Sequence, residues 1–561
     1  MYGYRKQEVH ITVPDKVREG ISVSRFVLPP TLNRRAPVAV DSGVSFLDSA
    51  HPHPDMEHPA TVQLGAKKRL GTPLPPCNPE LMRKARQFCT NYVQKNFERV
   101  VDGDILSVDE WLEHTSYTEA EKQEIRDAPD VDWDAPDPKL VNEFASFIKA
   151  EFYDEFKAPR TIQGISSSMK KFLGPYIHAC EMKVFTLPHF AKFIPVAERA
   201  NWLFEKFSSR PGCKVAASDF SNFEQSWQRM QLEAFEFPVL RHMLSKVEGF
   251  KKFIRVFESM ESDTVKLVFK WMTVRMGAVR KSGTTNTSFS NGVGNLLIHE
   301  FLGFHLGLGE LVGAFEGDDG LFNYGSGRFP APADYQALGF SVKLEIHDKP
   351  ERASFCGIIY HPNDRINITD PIKVLNRIGW LSQYYCRAKS SKLKALLRAK
   401  AMSLCVQSPN CPILADCAQW LLRATRSIDA RWVFKHKSTS WWDREQYRLV
   451  SKQAKFIYDP VVPMDTRELM EEVFGVPVHI QLQYERWFQS QDEITRMPLL
   501  HEPSQVHLDY AFNYSRTSRV PDLDCFPIFP DFCSMQELWE VSVPDEDEYA
   551  NSSSLLKMKR N

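Results

Sequence analysis

The chain has 561 residues, 43% hydrophobic and 12% aromatic, which excludes a disordered polymer and exceeds what one compact core holds, so a few subdomains are expected. Its formal net charge of -1 points to no partner until it is resolved along the sequence. The 11 cysteines are scattered without CxxC pairs, and HExxH is absent, which argues for a reduced cytosolic protein and against a zinc motif.

Met1 to Arg5 opens no signal-peptide pattern. Residues 1–75 are Pro-rich and weakly periodic, an extended arm lying on the body. Within it, His51, His53, Asp55, Glu57 and His58 are read as an extended linker rather than a metal site. Regular structure is expected to begin at Pro79, with Asn78 capping a helix that runs to Phe97. Asp127 to Pro138 is an acidic, Pro-rich loop. Val215-Ala216-Ala217 reads as a buried strand ending at Asp219. The apolar run from Asn295 to Phe315 carries His299, Glu300, His305 and Glu310, so it reads as buried structure rather than a membrane span. Leu311 to Phe315, then Gly317-Asp318-Asp319-Gly320, then Leu321-Phe322 read as a hairpin. Residues 373–455 are mostly helical and hold 17 Lys and Arg against 4 Asp and Glu. From Glu502 to Glu548 the balance reverses, with 11 acidic residues and two basic ones, and Asn551 to Asn561 reads as disordered. There is no internal repeat and no GxxxxGK[ST] loop.

Gly317-Asp318-Asp319 is weak evidence as a tripeptide. In a tight turn between apolar strands, however, it fixes two carboxylates at a strand tip, where a divalent cation relieves their repulsion. Asp219, about a hundred residues earlier, stands at the end of another strand. Three such carboxylates can hold two Mg2+ ions, one acidifying an attacking hydroxyl and one stabilising a leaving pyrophosphate. Between them, Ser282-Gly283-Thr284-Thr285-Asn286-Thr287-Ser288 is a hydroxyl-rich loop suited to a ribose-phosphate backbone. Thr287 and Asn291 share one face of the helix that follows. Read singly, such a loop is an ordinary helix cap.

In this order, Asp219 with Glu224, then Ser282, Gly283, Thr287 and Asn291, then Gly317-Asp318-Asp319 resemble motifs A, B and C of the RNA-dependent RNA polymerases of positive-strand RNA viruses, in the tombusvirus-like and nodavirus-like group. Lys149 to Gln163 looks like the basic finger, motif F. The resemblance assigns Lys149, Lys157 and Arg160 to the incoming triphosphate. Gly339 to Lys349 resembles motif D, whose lysine protonates pyrophosphate. Lys343 and Lys349 both qualify, and Lys349 is preferred because it follows Asp348 as a loop residue. Ser354-Phe355-Cys356-Gly357 resembles the primer grip, motif E, formed by Phe355, Cys356 and Gly357. Asp109 to Tyr117 resembles the fingers of the same group. One departure stands out: the family usually has Asp where this chain has Glu224, the acceptor in the network that reads the ribose 2′-OH.

The resemblance covers roughly residues 80–385 and implies an α+β right hand with an antiparallel, RRM-like palm sheet and a mostly helical thumb. The expected divisions are an N-terminal arm (1–75), fingers (76–212), motif A palm (213–232), a fingers insertion (233–281), motif B to E palm (282–365), thumb (366–500) and an acidic C-terminal tail (501–561). Arg387, Lys389, Lys392, Lys394, Arg398 and Lys400 form a basic thumb face expected to neutralise RNA phosphates without reading bases. The implied activity is template-directed transfer of NTPs onto an RNA 3′-OH with two Mg2+ (or Mn2+) ions. The implied partners are RNA template and product and other viral replication proteins. The expected location is host cytoplasm, at membrane-associated replication sites reached through partners. The alternatives are a reverse transcriptase and a non-catalytic RNA-binding scaffold. Reverse transcriptases usually carry an aromatic, a variable residue and Asp-Asp at the third motif, and a scaffold needs no aligned carboxylates.

Overall fold

A computed structural model describes residues 21–26, 39–46, 56, 59–153, 158–262, 264–270, 272–277, 279–382, 385, 387–431, 433 and 456–498. The acidic C-terminal stretch and Lys157 lie outside the described residues.

Three sheets organise these residues. The first holds β1 (Ser22–Phe26), β3 (Glu143–Ile148), β4 (Thr161–Gly164), β6 (Val265–Val268) and β7 (Met272–Met276), in the order β1-β7-β6-β3-β4. Only the β3–β6 pairing is parallel. It therefore joins the stretch before residue 212 to the stretch 233–281. The second sheet is fully antiparallel, in the order β10-β5-β9-β8: β5 is Val215–Phe220, β8 Leu311–Glu316, β9 Asp319–Tyr324 and β10 Val342–His347. Residues 189–191 add a short edge to β8, with Phe315 N–H donating to the His189 carbonyl at 2.8 Å and Phe190 bridging to Phe315. The third sheet pairs β2 (Ala39–Asp41) with β11 (Trp380–Ser382).

The long helix Thr287–His305 backs the second sheet and is buried over most of its length. The apolar run from Asn295 into β8 is thus interior structure, and no described helix is long and apolar enough to cross a membrane. A second core gathers the helices Pro371–Ile378, Ser390–Gln407, Leu414–Ala424, Met464–Phe474 and Val478–Gln489, together with Val44 and Phe46 from the N-terminal stretch.

Asn78 caps the helix Pro79–Asn96 by accepting from the amides of Glu80 and Leu81, and the helix stops at Phe97 as the cap signal predicts. The arm differs from the expectation. Residues 59–70 form a helix, Pro59–Leu70, buried along Val62 to Ala66, and β1 and β2 are strands of two different sheets. The helix escapes a periodicity reading because PATVQLGAKKRL is packed on several sides and so carries no polar stripe.

Candidate active site

The site is built at one end of the second sheet. Glu316 pairs with Asp319, so Gly317 and Asp318 are the two central residues of the β8–β9 hairpin. Gly317 has φ 60°, the left-handed first position of a type II′ turn, which glycine adopts without a Cβ penalty. The helix Thr287–His305 holds the turn from behind. Asn295 Nδ2 donates to the carbonyls of Gly317 and Asp319, at 3.2 Å each.

On the neighbouring strand Ser218 pairs with Gly320, so Asp219 stands one residue beyond, level with Asp319. Directly opposed side chains on adjacent strands lie about 5 Å apart, and like charges there repel. The electrostatics register this crowding. Burial, and then the charges of Glu224 and Asp319, raise Asp318 to about 6. Burial also raises Asp319, with the charges of Asp219 and Glu316 adding to it, while a hydrogen bond from the Cys356 thiol and the charge of Arg199 oppose the shift. The Asp319 side chain remains exposed to solvent. Carboxylates crowded this way, within reach of water, are the donor set that hard divalent cations take. Asp219, Asp318 and Asp319 are therefore the residues that would hold the two ions that the sequence implies.

Cys356 reaches Asp319 from a second tight hairpin. Phe355 and Ile358 exchange both backbone hydrogen bonds at 3.0 Å, and Cys356 and Gly357 have φ 50° and 76°, the signs of a type I′ turn. At the outer edge, Lys192 and Arg199 lie 3.6 and 3.9 Å from Glu316.

The residues expected to read the sugar also converge. Asn291 Nδ2 donates to Glu224 Oε1 at 3.3 Å. Arg280, wholly buried, fixes the far side of the amide by donating to Asn291 Oδ1 at 2.8 Å, stacks over Trp227 at 3.7 Å, and pairs with buried Glu236. Ser290 and Asn286 donate to the same Glu236 carboxylate. The loop before the helix is tied to β4: Ser282 N–H donates to Gln163 Oε1 at 3.0 Å, and Gln163 N–H to the Ser282 carbonyl at 2.8 Å. Gly283, at φ 129°, sits where a Cβ would lie 2.6 Å from Ile162. Thr287 spends its hydroxyl inside the loop, accepting from the Gly283 amide and donating to the Lys281 carbonyl.

Lys149 N–H donates to the Arg160 carbonyl at 2.9 Å, closing the base of the loop between β3 and β4. Arg160 lies close enough to the site for Glu151, Glu224 and Asp318 to raise its pKa against the effect of burial. Lys149 is paired with Glu151 at 2.9 Å.

Three expectations need correction. The register sets Lys343, not Lys349, opposite Asp219; Lys343 is ion-paired with Glu345, which raises its pKa most, and the Asp219 charge adds to that shift. Lys349 lies beyond His347, which pairs with Val215 at the far end of β5, roughly 13 Å or more away by strand rise. Arg398 is committed to the carbonyls of Leu422 and Thr425, and Lys400 to those of Ile378 and Trp380. Both therefore tie neighbouring elements together at the border of the second core. Arg387 and Lys389 are exposed before and at the cap of the helix Ser390–Gln407, with Lys392 and Lys394 half-buried in its first turns.

Sequence reading missed Arg69. It comes from the helix Pro59–Leu70 and donates to Asn222 Oδ1 at 3.0 Å, where Asn222, at φ 52°, turns the chain sharply after β5. The basic triplet Lys67-Lys68-Arg69 is its only sequence signal.

No family model matches the chain, and no curated protein matches it. Among solved structures it is similar to the insertion loop deletion mutant of the RNA-dependent RNA polymerase of a human picorbirnavirus, at 13% identity and a TM-score of 0.48, over 64% of this chain and 75% of that one.

Proposed function

We propose that the chain is an RNA-dependent RNA polymerase of the viral right-hand type, with the second sheet as its palm, the first sheet in its fingers and the second core as its thumb. One observation carries the reading: Asp219, Asp318 and Asp319 meet at one sheet end, beside an Asn291–Glu224 pair. Two bound Mg2+ ions would supply an acidified 3′-hydroxyl and a stabilised pyrophosphate.

The chain's own residues do the rest. Asp219, Asp318 and Asp319 hold the charge that binds the ions. Arg160 and Lys149 neutralise the triphosphate, and Lys343 stands on the strand beside Asp219 as the proton donor to the leaving group. Glu224 and Asn291 present an acceptor and a donor to the ribose hydroxyls. A site built to bond a hydroxyl rejects the analogue that lacks it, because its polar groups are left unpaired. The exposed Arg387 and Lys389 extend the site along the product duplex.

The test is incorporation of labelled nucleotide on an RNA template by purified chain with Mg2+. Ribonucleotide transfer that disappears in Asp219→Ala supports the reading. Preference for deoxynucleotides would indicate a reverse transcriptase, and RNA binding without transfer would indicate a scaffold.

A further inference from the structure

A second cluster of ligating side chains lies away from the three aspartates, where the loop after the Phe355–Ile358 hairpin meets the helix Met464–Phe474. His361, Asp364 and Asp465 each place one donor atom within 4.8 Å of the others. His361 Nδ1 stands 3.7 Å from Asp364 Oδ2 and 3.7 Å from Asp465 Oδ2. That is too long for a hydrogen bond. Two donors on one ion at 2.0–2.2 Å sit roughly 3.0–3.5 Å apart, so each His361–carboxylate pair needs a shift of only a few tenths of an ångström to share an ion. His361 Nδ1 is buried and has no hydrogen-bond partner, a state that costs free energy unless something occupies its lone pair.

Neighbouring groups aim the carboxylates. Thr466 Oγ1 donates to Asp364 Oδ2 at 2.7 Å, and Asn363 Nδ2 donates to Asp465 Oδ2 at 3.2 Å, the supporting bonds that ligating carboxylates ordinarily have. The loop is held in shape independently. Arg365, at φ 52°, donates its amide to the His361 carbonyl at 2.8 Å, and its guanidinium stacks 3.9 Å over Phe204.

We infer that His361, Asp364 and Asp465 bind a structural transition-metal ion of the Zn2+ class, which pins the loop after the Phe355–Ile358 hairpin to the helix Met464–Phe474. One imidazole and two carboxylates suit Zn2+ better than Mg2+, which prefers oxygen donors alone. The site leaves a coordination position for water. It takes no part in nucleotide chemistry, and at the other end of the same helix the Arg352–Glu472 pair, at 2.7 Å, makes a second tie to the segment before the hairpin.

The test strips the purified chain with EDTA, reloads it with Co2+ or Zn2+, desalts it, and reads bound metal by mass spectrometry and the visible spectrum of Co2+. The expected result is about one retained ion per chain with the intense absorption of a four-coordinate site. That signal should persist in Asp318→Asn and fall about tenfold or more in apparent affinity in His361→Gln and Asp465→Asn. Asp465 is half exposed, so its variant keeps the fold and isolates ligation. Equal uptake by wild type and both site variants would overturn the assignment. So would the absence of any retained ion, or loss in Asp318→Asn alone, which would assign the ion to the three aspartates.

Discussion

Asp318 is the most informative single residue. Burial and the charges of Glu224 and Asp319 push its pKa up to about 6, so the fold without cations disfavours the charged form relative to the unfolded chain. Between about pH 4 and 6 the folded state then binds more protons than the unfolded chain, and stability contributed here falls as pH rises through that window. Asp318→Asn removes the penalty. In EDTA at pH 8 it should raise Tm, by on the order of 1–2 °C in a chain this long, as scanning calorimetry would read. Nucleotide incorporation should drop by at least about a thousandfold, since a metal ligand is worth several kcal/mol in the transition state. RNA binding by filter retention should be unchanged. An unshifted Tm together with retained activity would remove Asp318 from the cluster. Because ions bind the carboxylate and not the acid, the Mg2+ concentration for half-maximal activity should rise steeply below about pH 6, and a flat dependence from pH 5 to 8 would contradict the shift.

The choice between Lys343 and Lys349 as the proposed proton donor is tested at the same scale. Lys343→Leu should lower turnover more than apparent nucleotide affinity, since a general acid acts only in the transition state, and Lys349→Leu should leave both near wild type. The reverse result would restore Lys349. Sequence spacing does not separate these two lysines. Only the pairing register of β10 on β5 does, and a register depends on a partner strand more than a hundred residues away.

At the scale of elements, legibility follows locality. The β8–β9 hairpin and the helix capped by Asn78 are readable because turn and cap chemistry lies within a few residues of the structure it sets. The helix Pro59–Leu70 is not, and Arg69 escapes with it. The basic run of the helix Ser390–Gln407 reads as one face in sequence, yet its residues divide: Arg398 and Lys400 satisfy helix-end carbonyls, a role that sequence presents identically to phosphate binding. Neutralising Arg387, Lys389, Lys392 and Lys394 together should flatten the salt dependence of RNA affinity by about 0.7–0.9 in log-log slope for each phosphate left without its cation. A wild-type slope would mean that this end of the helix only faces solvent. Arg398→Gln, by contrast, should lower thermal stability and leave the slope unchanged.

Across the whole molecule, the N-terminal stretch connects distant parts. β1 joins the first sheet, Val44 and Phe46 enter the second core, and Arg69 reaches the turn after β5. Phe46 is 1% exposed and packs edge-on to Tyr484 at 6.4 Å. Phe46→Ala should cost about 3–5 kcal/mol. Hydrogen exchange should show reduced protection in the helices Leu414–Ala424 and Val478–Gln489 but not in β5 and β9. Protection reduced equally everywhere would mean that the two cores unfold as one.

The same stretch sets a schedule for the nascent chain. Ser42 bonds the Gly379 carbonyl, 337 residues downstream, and β2 has no partner until β11 is made. At roughly 5–20 residues per second a ribosome leaves that strand edge unpaired for about 20–70 s, long enough for another chain or a chaperone to meet it. The sheet carrying the three aspartates is complete once His347 has been made, before the strand that closes the N-terminal stretch onto the second core. A ribosome stalled between the two would carry the second sheet without its clasp.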